Sequence, residues 1–449
     1  GLLLDHLLTT LATADDELRG PDQLIWLERL EADQDTIRRV LDWAGAHAPE
    51  RGLRLAGHLG WFWFLKGAGP EAMQRLGASL AAAGAGADAR ARAQAHFFLS
   101  LHDPQPERAL PGFAAARDAY LESGDQRGVA NSLAMIAAWG SDPEQTRELA
   151  ARAIEIATGA GYDWGVALIR FLQAGAAAVV NDIPESARLA EEAARLFAEV
   201  GDRWGQGYSL YTLGVARRAM GEYEAAVAAL EEALTHARPM RLRREMAPVM
   251  CELASIATMR GDYERAEGML AQAREYADEV PFAGSQGMVR NAQGRLARLQ
   301  GDHEAAHRLH SEAVALYRDG ERHGGLAYSY SCLGFNAEAA GDLDAARSHH
   351  LAALEHAEAS DDVFAIALGL EGIGTTLVAA GEARRGVELI AAGLAAREKA
   401  GNPLPAGEWS EVDRACDAAG RQLDAAEFAA ALESGRSLDV EEAVALARP

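Results

Sequence analysis

The chain has 449 residues, about three times a typical domain, so it holds either two or three globular domains or one long repeat array. Abundant alanine, sparse strand formers and only 6% aromatic residues suit helices packed through short turns, the composition of an all-α protein. Lys+Arg 43 against Asp+Glu 67 leaves a net charge of −24, and so acidic a surface repels a phosphate backbone, which argues against direct nucleic-acid binding.

The run Leu2 to Leu11 lacks a basic flank and carries Asp5 and His6, unlike a secretory leader. Asp22 to His47 reads as a long amphipathic helix, so residues 1–49 form a block of N-terminal lead-in helices. Arg51 to Lys66, the turn Gly67-Ala68-Gly69 and Pro70 to Leu80 predict a helical hairpin, with Pro70 suited to a first helical position. Four aromatics in succession, Trp61, Phe62, Trp63 and Phe64, would cover most of a helix circumference. Core packing is the better reading of them than a docking patch, with one ring facing outward unless another helix covers it. Gly57 to Leu65 is apolar but far too short to span a bilayer, and no membrane association is expected. Pro106-Glu107 to Gly124 resembles Pro143-Glu144 to Gly161 at an offset of 37, so residues 50–124 hold two divergent hairpins.

From 125 to 401 one turn recurs every 40 residues. Gly221-Glu222, Gly261-Asp262, Gly301-Asp302, Gly341-Asp342 and Gly381-Glu382 keep the step, and Asn181-Asp182 and Ser141-Asp142 extend it backwards. Glycine or asparagine there supplies a left-handed helix end, and the acidic residue after it sits at the positive N-terminus of the next helix. Small residues keep the same register in three columns. Ala134, Ala174, Gly214, Ala254, Gly294, Gly334 and Gly374 precede the turn. Thr146, Ser186, Ala226, Ala266, Ala306, Ala346 and Gly386 follow it, and Ala153, Ala193, Ala233, Ala273, Ala313, Ala353 and Gly393 come last. The spacing of these columns resembles the tetratricopeptide (TPR) helix-turn-helix, although the bulky signature residues are mostly missing and the unit is longer than the usual ~34 residues. The fold class this implies is a TPR-like α-α superhelical solenoid of stacked hairpins, right-handed as in that family. Asn402-Pro403-Leu404-Pro405 breaks the array, and short helices around Glu408 to Ala419 and Leu423 to Glu433 make residues 402–449 a C-terminal cap over the last exposed repeat face.

Several chemistries lack their residues. Lys66 and Lys399 are the only lysines, followed by Gly67 and Ala400 rather than Ser or Thr, so no phosphate-binding loop of the G-x-x-x-x-G-K-[ST] type exists. Cys251, Cys332 and Cys416 form no C-x-x-C pair, which points to the cytoplasm and away from disulfides or a cysteine zinc site. Acid pairs such as Glu191-Glu192, Glu231-Glu232 and Asp361-Asp362 read as solvated helix ends. No nucleophile-base arrangement emerges, so the chain is not expected to be an enzyme and no cofactor is assigned.

Binding residues are sought on the first helix of each hairpin. Asn131, Met135, Trp139, Phe171, Arg218 and Glu338 fall there, and so do Tyr208, Tyr211, Asn291, Arg295, Arg298, Tyr328 and Phe335. The latter seven are the candidate groove: tyrosine offers rigid area with a polar tip, and Arg295 and Arg298, three apart on one helix, can jointly hold an acidic group. Their partner is expected to be an acidic or aromatic peptide or protein segment, with a small-molecule effector as the other ligand class. His303, His307 and His310 lie on one helix and His349, His350 and His356 on its counterpart. Two imidazoles sharing a face could serve a metal, but a third ligand is not evident. His310 and His350 stand where Leu230 and Leu270 stand elsewhere, which favours histidines filling an apolar slot.

Both ends carry a further resemblance. Leu18-Arg19-Gly20-Pro21-Asp22-Gln23, Trp26-Leu27-Glu28-Arg29-Leu30-Glu31-Ala32-Asp33, Asp35, Ile37-Arg38 and Leu41-Asp42-Trp43-Ala44 resemble the segment opening the helical region of actinobacterial AfsR-like and LuxR-like STAND (signal-transduction ATPase) regulators. Thr36 stands where that group commonly has asparagine. Gly435 to Ala447 is similar to the stretch that closes the region. The resemblance implies an excised sensor and scaffold that controls nucleotide-binding and DNA-binding domains of a larger parent chain; neither the ATPase lysine nor the DNA-reading helix has a counterpart here. A free-standing TPR adaptor is the alternative reading, and a small-molecule- or metal-binding enzyme the third.

Overall fold

The computed structural model describes residues 1–84, 86–103, 105–140, 142–180, 182–279, 282–319, 322–360, 362–400 and 410–448, the side chains of residues 143 and 410 excepted. The break at Asn402-Pro403-Leu404-Pro405 and the turn residues Ser141 and Asn181 lie outside them. The described residues contain 24 helices and no strand, arranged as successive hairpins of a TPR-like solenoid. Two compact units are distinguished: residues 1–176, 186–213 and 232–242 in the first, residues 177–185, 214–231 and 243–449 in the second.

In the first unit, Leu2–Glu17 and Gln23–His47 lead into the array. The helix expected over Arg51 to Lys66 is two, Pro49–His58 and Gly60–Leu65, joined at Leu59. A methyl on Gly60 would lie 2.0 Å from the Phe98 ring, so glycine there lets the shifted backbone lie directly on the helix Ala89–His102. The hairpin then closes through Gly69–Ala83, with Pro70 in its first turn. Ala89–His102 pairs with Pro106–Ser123, and Gln126–Trp139 with Pro143–Gly159.

The repeat physics is clearest in the second unit. Arg243–Met259 pairs with Tyr263–Glu279, Ala283–Leu299 with His303–Asp319, His323–Ala339 with Leu343–Ala359, and Val363–Ala379 with Ala383–Lys399. The turn glycines Gly221, Gly261, Gly301, Gly341 and Gly381 all have φ between 76° and 90°, the left-handed conformation expected of them. The acidic residues that follow cap the next helix: Asp302 accepts from the Ala305 N–H at 2.9 Å and Asp342 from the Ala345 N–H at 3.0 Å. Ala266, Ala306, Ala346, Ala273, Ala313 and Ala353 are fully buried where hairpin helices touch.

The glycines of the first small column lie in close contact with the facing helix of their hairpin, Gly214 on Leu230 and Gly294 on His310. A methyl on Gly334 would stand 2.5 Å from the His350 ring, and one on Gly374 would stand 2.7 Å from the carbonyl oxygen of Gly386. Gly334→Leu is therefore expected to lower stability by about 1–3 kcal/mol or more, because the crowded partner cannot retreat through a close-packed layer. Urea denaturation checks this, and an unchanged midpoint would remove Gly334 from the helix contact.

Beyond the array the described residues form three short helices, Ser410–Ala419, Ala425–Ser437 and Val440–Ala447; Glu408, where the first was expected to begin, lies outside the described residues. Asp439 and Glu442 form a capping box at the start of the third. Val444, Ala443 and Ala447 join Leu370, Ile373 and Leu389 in one apolar core. Val412 and Ala431 pack with Val387 and Ile390 in another, so the last repeat has its face covered. No helix among the described residues is long and apolar enough to cross a membrane.

Candidate functional site

Within the second unit the first helices of three hairpins bring several candidates together with the helix Ser410–Ala419. Arg298 Nη1 lies 2.7 Å from Glu411 Oε1, and both side chains are largely buried. Around Cys332, one turn after Tyr328, stand Arg295, Arg298 and Glu411, and the Tyr328 hydroxyl hydrogen-bonds the thiol. Burial pushes that thiol up to about 11 even though both guanidinium charges pull it down, so it is a protonated, weakly nucleophilic group. Glu338, one period after Arg298, accepts from Thr375 Oγ1 at 2.7 Å and Thr376 Oγ1 at 3.3 Å. Burial raises its carboxyl, the two hydroxyls and the Arg414 charge working against that. The surface is thus a band of alternating charge, Arg295 and Arg298, Glu411, Arg414, Glu338, with Tyr328 beside it.

The remaining candidates have other surroundings. Asn291 is buried and spends its amide internally, donating to Ser329 Oγ at 2.8 Å and meeting His310 Nδ1 at 3.1 Å. Phe335 meets the His350 ring edge to face at 4.7 Å between centroids. Tyr208 and Tyr211 belong to the first unit, 6.3 Å apart by ring centroids.

His310 and His350 are fully buried in the leucine slot of the repeat, as their register suggested. Burial depresses both to about 3, helped at His310 by the Arg298 and His307 charges and at His350 by His349. His303 turns instead to Asn336, with Nδ1 3.1 Å from its Oδ1. Among the described residues no group of three or more histidine, cysteine or carboxylate side chains is placed to hold a metal.

The first unit holds an aromatic site that sequence reasoning missed. Trp61 stacks on Phe64 at 4.9 Å and meets Trp164 and Trp204 edge-on at 5.4 and 5.1 Å. Trp204 continues to Tyr208 at 5.4 Å and Phe171 at 6.2 Å. Trp61, Phe62 and Trp63 are buried and Phe64 half-buried, so the aromatic run is neither a docking patch nor wholly core. The leading segment holds this cluster in place. Gln23 donates to Asp202 Oδ1 at 2.9 Å and to the Leu18 carbonyl at 2.7 Å, while its own oxygen accepts from the N–H groups of Arg203 and Trp204 at 3.1 Å. Asp202 also accepts from the Trp164 indole. The overlooked signal was Trp164 and Trp204, which are one 40-residue step apart.

The tetratricopeptide repeat family matches residues 245–319, the stretch that spans the hairpin Arg243–Met259/Tyr263–Glu279 and the one after it. Among solved structures, a Rap protein complexed with competence and sporulation factor is similar over 89% of this chain and 100% of its own, at 11% identity and a TM-score of 0.54. The apo form of RapI is similar over 79% of this chain and 98% of its own, at 14% identity and a TM-score of 0.49. No curated protein matches the sequence. At such identity the Rap likeness speaks for the fold alone.

Proposed function

We propose that this chain is a regulatory interaction module that binds an acidic peptide or protein segment along the first-helix face of its second unit. The observation that carries the reading is the Arg298–Glu411 pair: the acidic group expected on Arg298 is supplied by the chain's own C-terminal region. Arginine matches carboxylates by directional, charge-assisted hydrogen bonds, so a segment presenting Asp or Glu can replace Glu411 there. Tyr328 adds rigid contact area. Solenoids offer extended surfaces of this kind, and the similar Rap fold is recorded in complex with competence and sporulation factor. The end segments resembling those of AfsR-like and LuxR-like STAND regulators extend the proposal: the module senses a signal in the cytoplasm and controls companion nucleotide-binding and DNA-binding domains.

Fluorescence anisotropy with labelled peptides sorted by charge and aromatic content tests the reading on the purified chain. Acidic aromatic peptides should bind; Arg298→Ala with Tyr328→Ala should weaken them at least tenfold. Glu411→Gln should tighten the same peptides, because the internal competitor for Arg298 is gone. Equal binding by all three proteins, or enrichment of basic peptides, would overturn the assignment. Reporter transcription from a parent reading frame, with and without the double substitution, tests the regulatory part.

A further inference from the structure

We propose that the first unit contains a second, separate ligand site: a cavity of about 260 Å³ that takes a small planar aromatic molecule bearing a carboxylate or carbonyl group. Its walls are the rings of Trp61, Phe64, Trp164, Phe171, Trp204 and Tyr208, with aliphatic side chains including Leu168 and Leu172 completing it. The volume lies just below the roughly 300–1,000 Å³ usual for small-molecule sites, which sets the ligand at about two fused rings. The cavity shares no residue with the Arg298 surface of the other unit.

Apolar walls alone would make this a packing defect. Unspent hydrogen-bonding groups make it a site. Trp61 and Trp204 are only 4% and 5% exposed, yet neither indole N–H has a hydrogen-bond partner. Trp164, one period before Trp204, shows the usual behaviour of a buried indole by donating to Asp202. Arg19 Nε and Asn131 Oδ1, also on residues lining the cavity, are likewise buried and unpartnered. Three unspent donors against one acceptor call for a ligand rich in acceptors, because a buried donor left unmet is costly.

The charge of the ligand follows from Arg19. An aromatic cage commonly attracts a cation, but here the cation is built in: the Arg19 guanidinium lies 5.4 Å from the ring centroids of both Trp61 and Trp164. Asp15 holds it from behind, 2.9 Å from Nη1. Burial disfavours the Asp15 carboxylate, but Arg19 and then His58 outweigh that and keep it ionised below the ordinary range. A second cation would meet the guanidinium in a low-dielectric pocket, whereas an anionic or strongly dipolar oxygen is welcomed by it and by the indole N–H groups.

The test uses the purified chain and 2-naphthoate, with 2-naphthylmethylammonium as the matched cation and cyclohexanecarboxylate as the non-aromatic acid. Titration calorimetry and quenching of tryptophan fluorescence read binding. Naphthoate is expected to bind with one-to-one stoichiometry, at least tenfold more tightly than either control. Trp61→Phe with Trp204→Phe keeps the rings and removes the donors, and should weaken naphthoate at least tenfold. Leu172→Trp, at a half-buried wall position, fills the cavity and should abolish binding while the far-UV circular dichroism stays helical. Failure of naphthoate to bind at millimolar concentration, preference for the ammonium compound, or undiminished binding to Leu172→Trp would each overturn the proposal.

Discussion

Replacing Arg397 with alanine is expected to destabilise the second unit by about 3–5 kcal/mol, the range for breaking a buried ion pair from one side. Arg397 Nε and Nη2 reach Glu371 Oε1 and Oε2 at 2.5 and 2.9 Å, and the two side chains are 1% and 3% exposed. The guanidinium also lies on the Phe364 ring, 4.3 Å from its centroid. Alanine removes both contacts and the charge that matches the buried Glu371 carboxylate. The pair itself is a poor source of net stability, since both ions lost their hydration on burial. Arg397→Met combined with Glu371→Met should therefore recover most of the loss. Urea unfolding of the single and double variants measures both numbers. A double variant as weak as Arg397→Ala would mean that the pair, rather than its filled volume, holds the last two repeat helices together.

The position of that pair shows which features a sequence reveals. Arg397 occupies the column that holds Ala237, Ala277 and Ala357 but also the large buried rings of Phe197 and Tyr317, so its charge rather than its size sets it apart from the other repeats. The hairpins themselves were legible because backbone contact dictates small side chains: a residue such as Gly374, whose added methyl would strike the carbonyl of Gly386, has no freedom to vary. The turns were legible for the same reason, through φ values that glycine alone adopts cheaply. Asn291 was opaque because an amide that bridges Ser329 and His310 inside the layer has the same one-letter signature as an amide facing solvent. The aromatic cavity was opaque because Trp61 precedes the repeats, about 100 and 140 residues before Trp164 and Trp204, and only folding brings it onto them. The break at Leu59 was hidden too, since Gly57 and Gly60 are tolerated within a helix and only the proximity of Gln94 to the first and of Phe98 to the second explains their use.

The largest effect of pH is expected at the two buried histidines. His310 and His350 titrate at about 3 in the folded chain and near 6.5 when unfolded. Above pH 6.5 both states carry neutral imidazole and the shift costs nothing. As pH falls below 6.5 the unfolded state takes up protons that the folded state refuses, so stability drops until the folded group itself titrates. Each histidine contributes about 1.4 kcal/mol per pH unit, so at pH 5 the two together cost about 4 kcal/mol relative to neutral pH. Most carboxylates are still ionised at pH 5, which isolates the imidazoles. His310→Leu with His350→Leu, restoring the leucine found at positions 230 and 270, should flatten the profile by that amount, leaving a smaller slope from half-buried His96, His236, His349 and His356. The substitutions differ at pH 7. Neither ring nitrogen of His350 has a hydrogen-bond partner, so leucine there should add about 1–3 kcal/mol. His310 meets Asn291, and losing it leaves that buried amide oxygen unmet, which offsets the gain. Urea titrations of the two single variants at pH 7 and pH 5 separate these contributions: parallel pH profiles for wild type and double variant would show that protons reach these rings in the folded state.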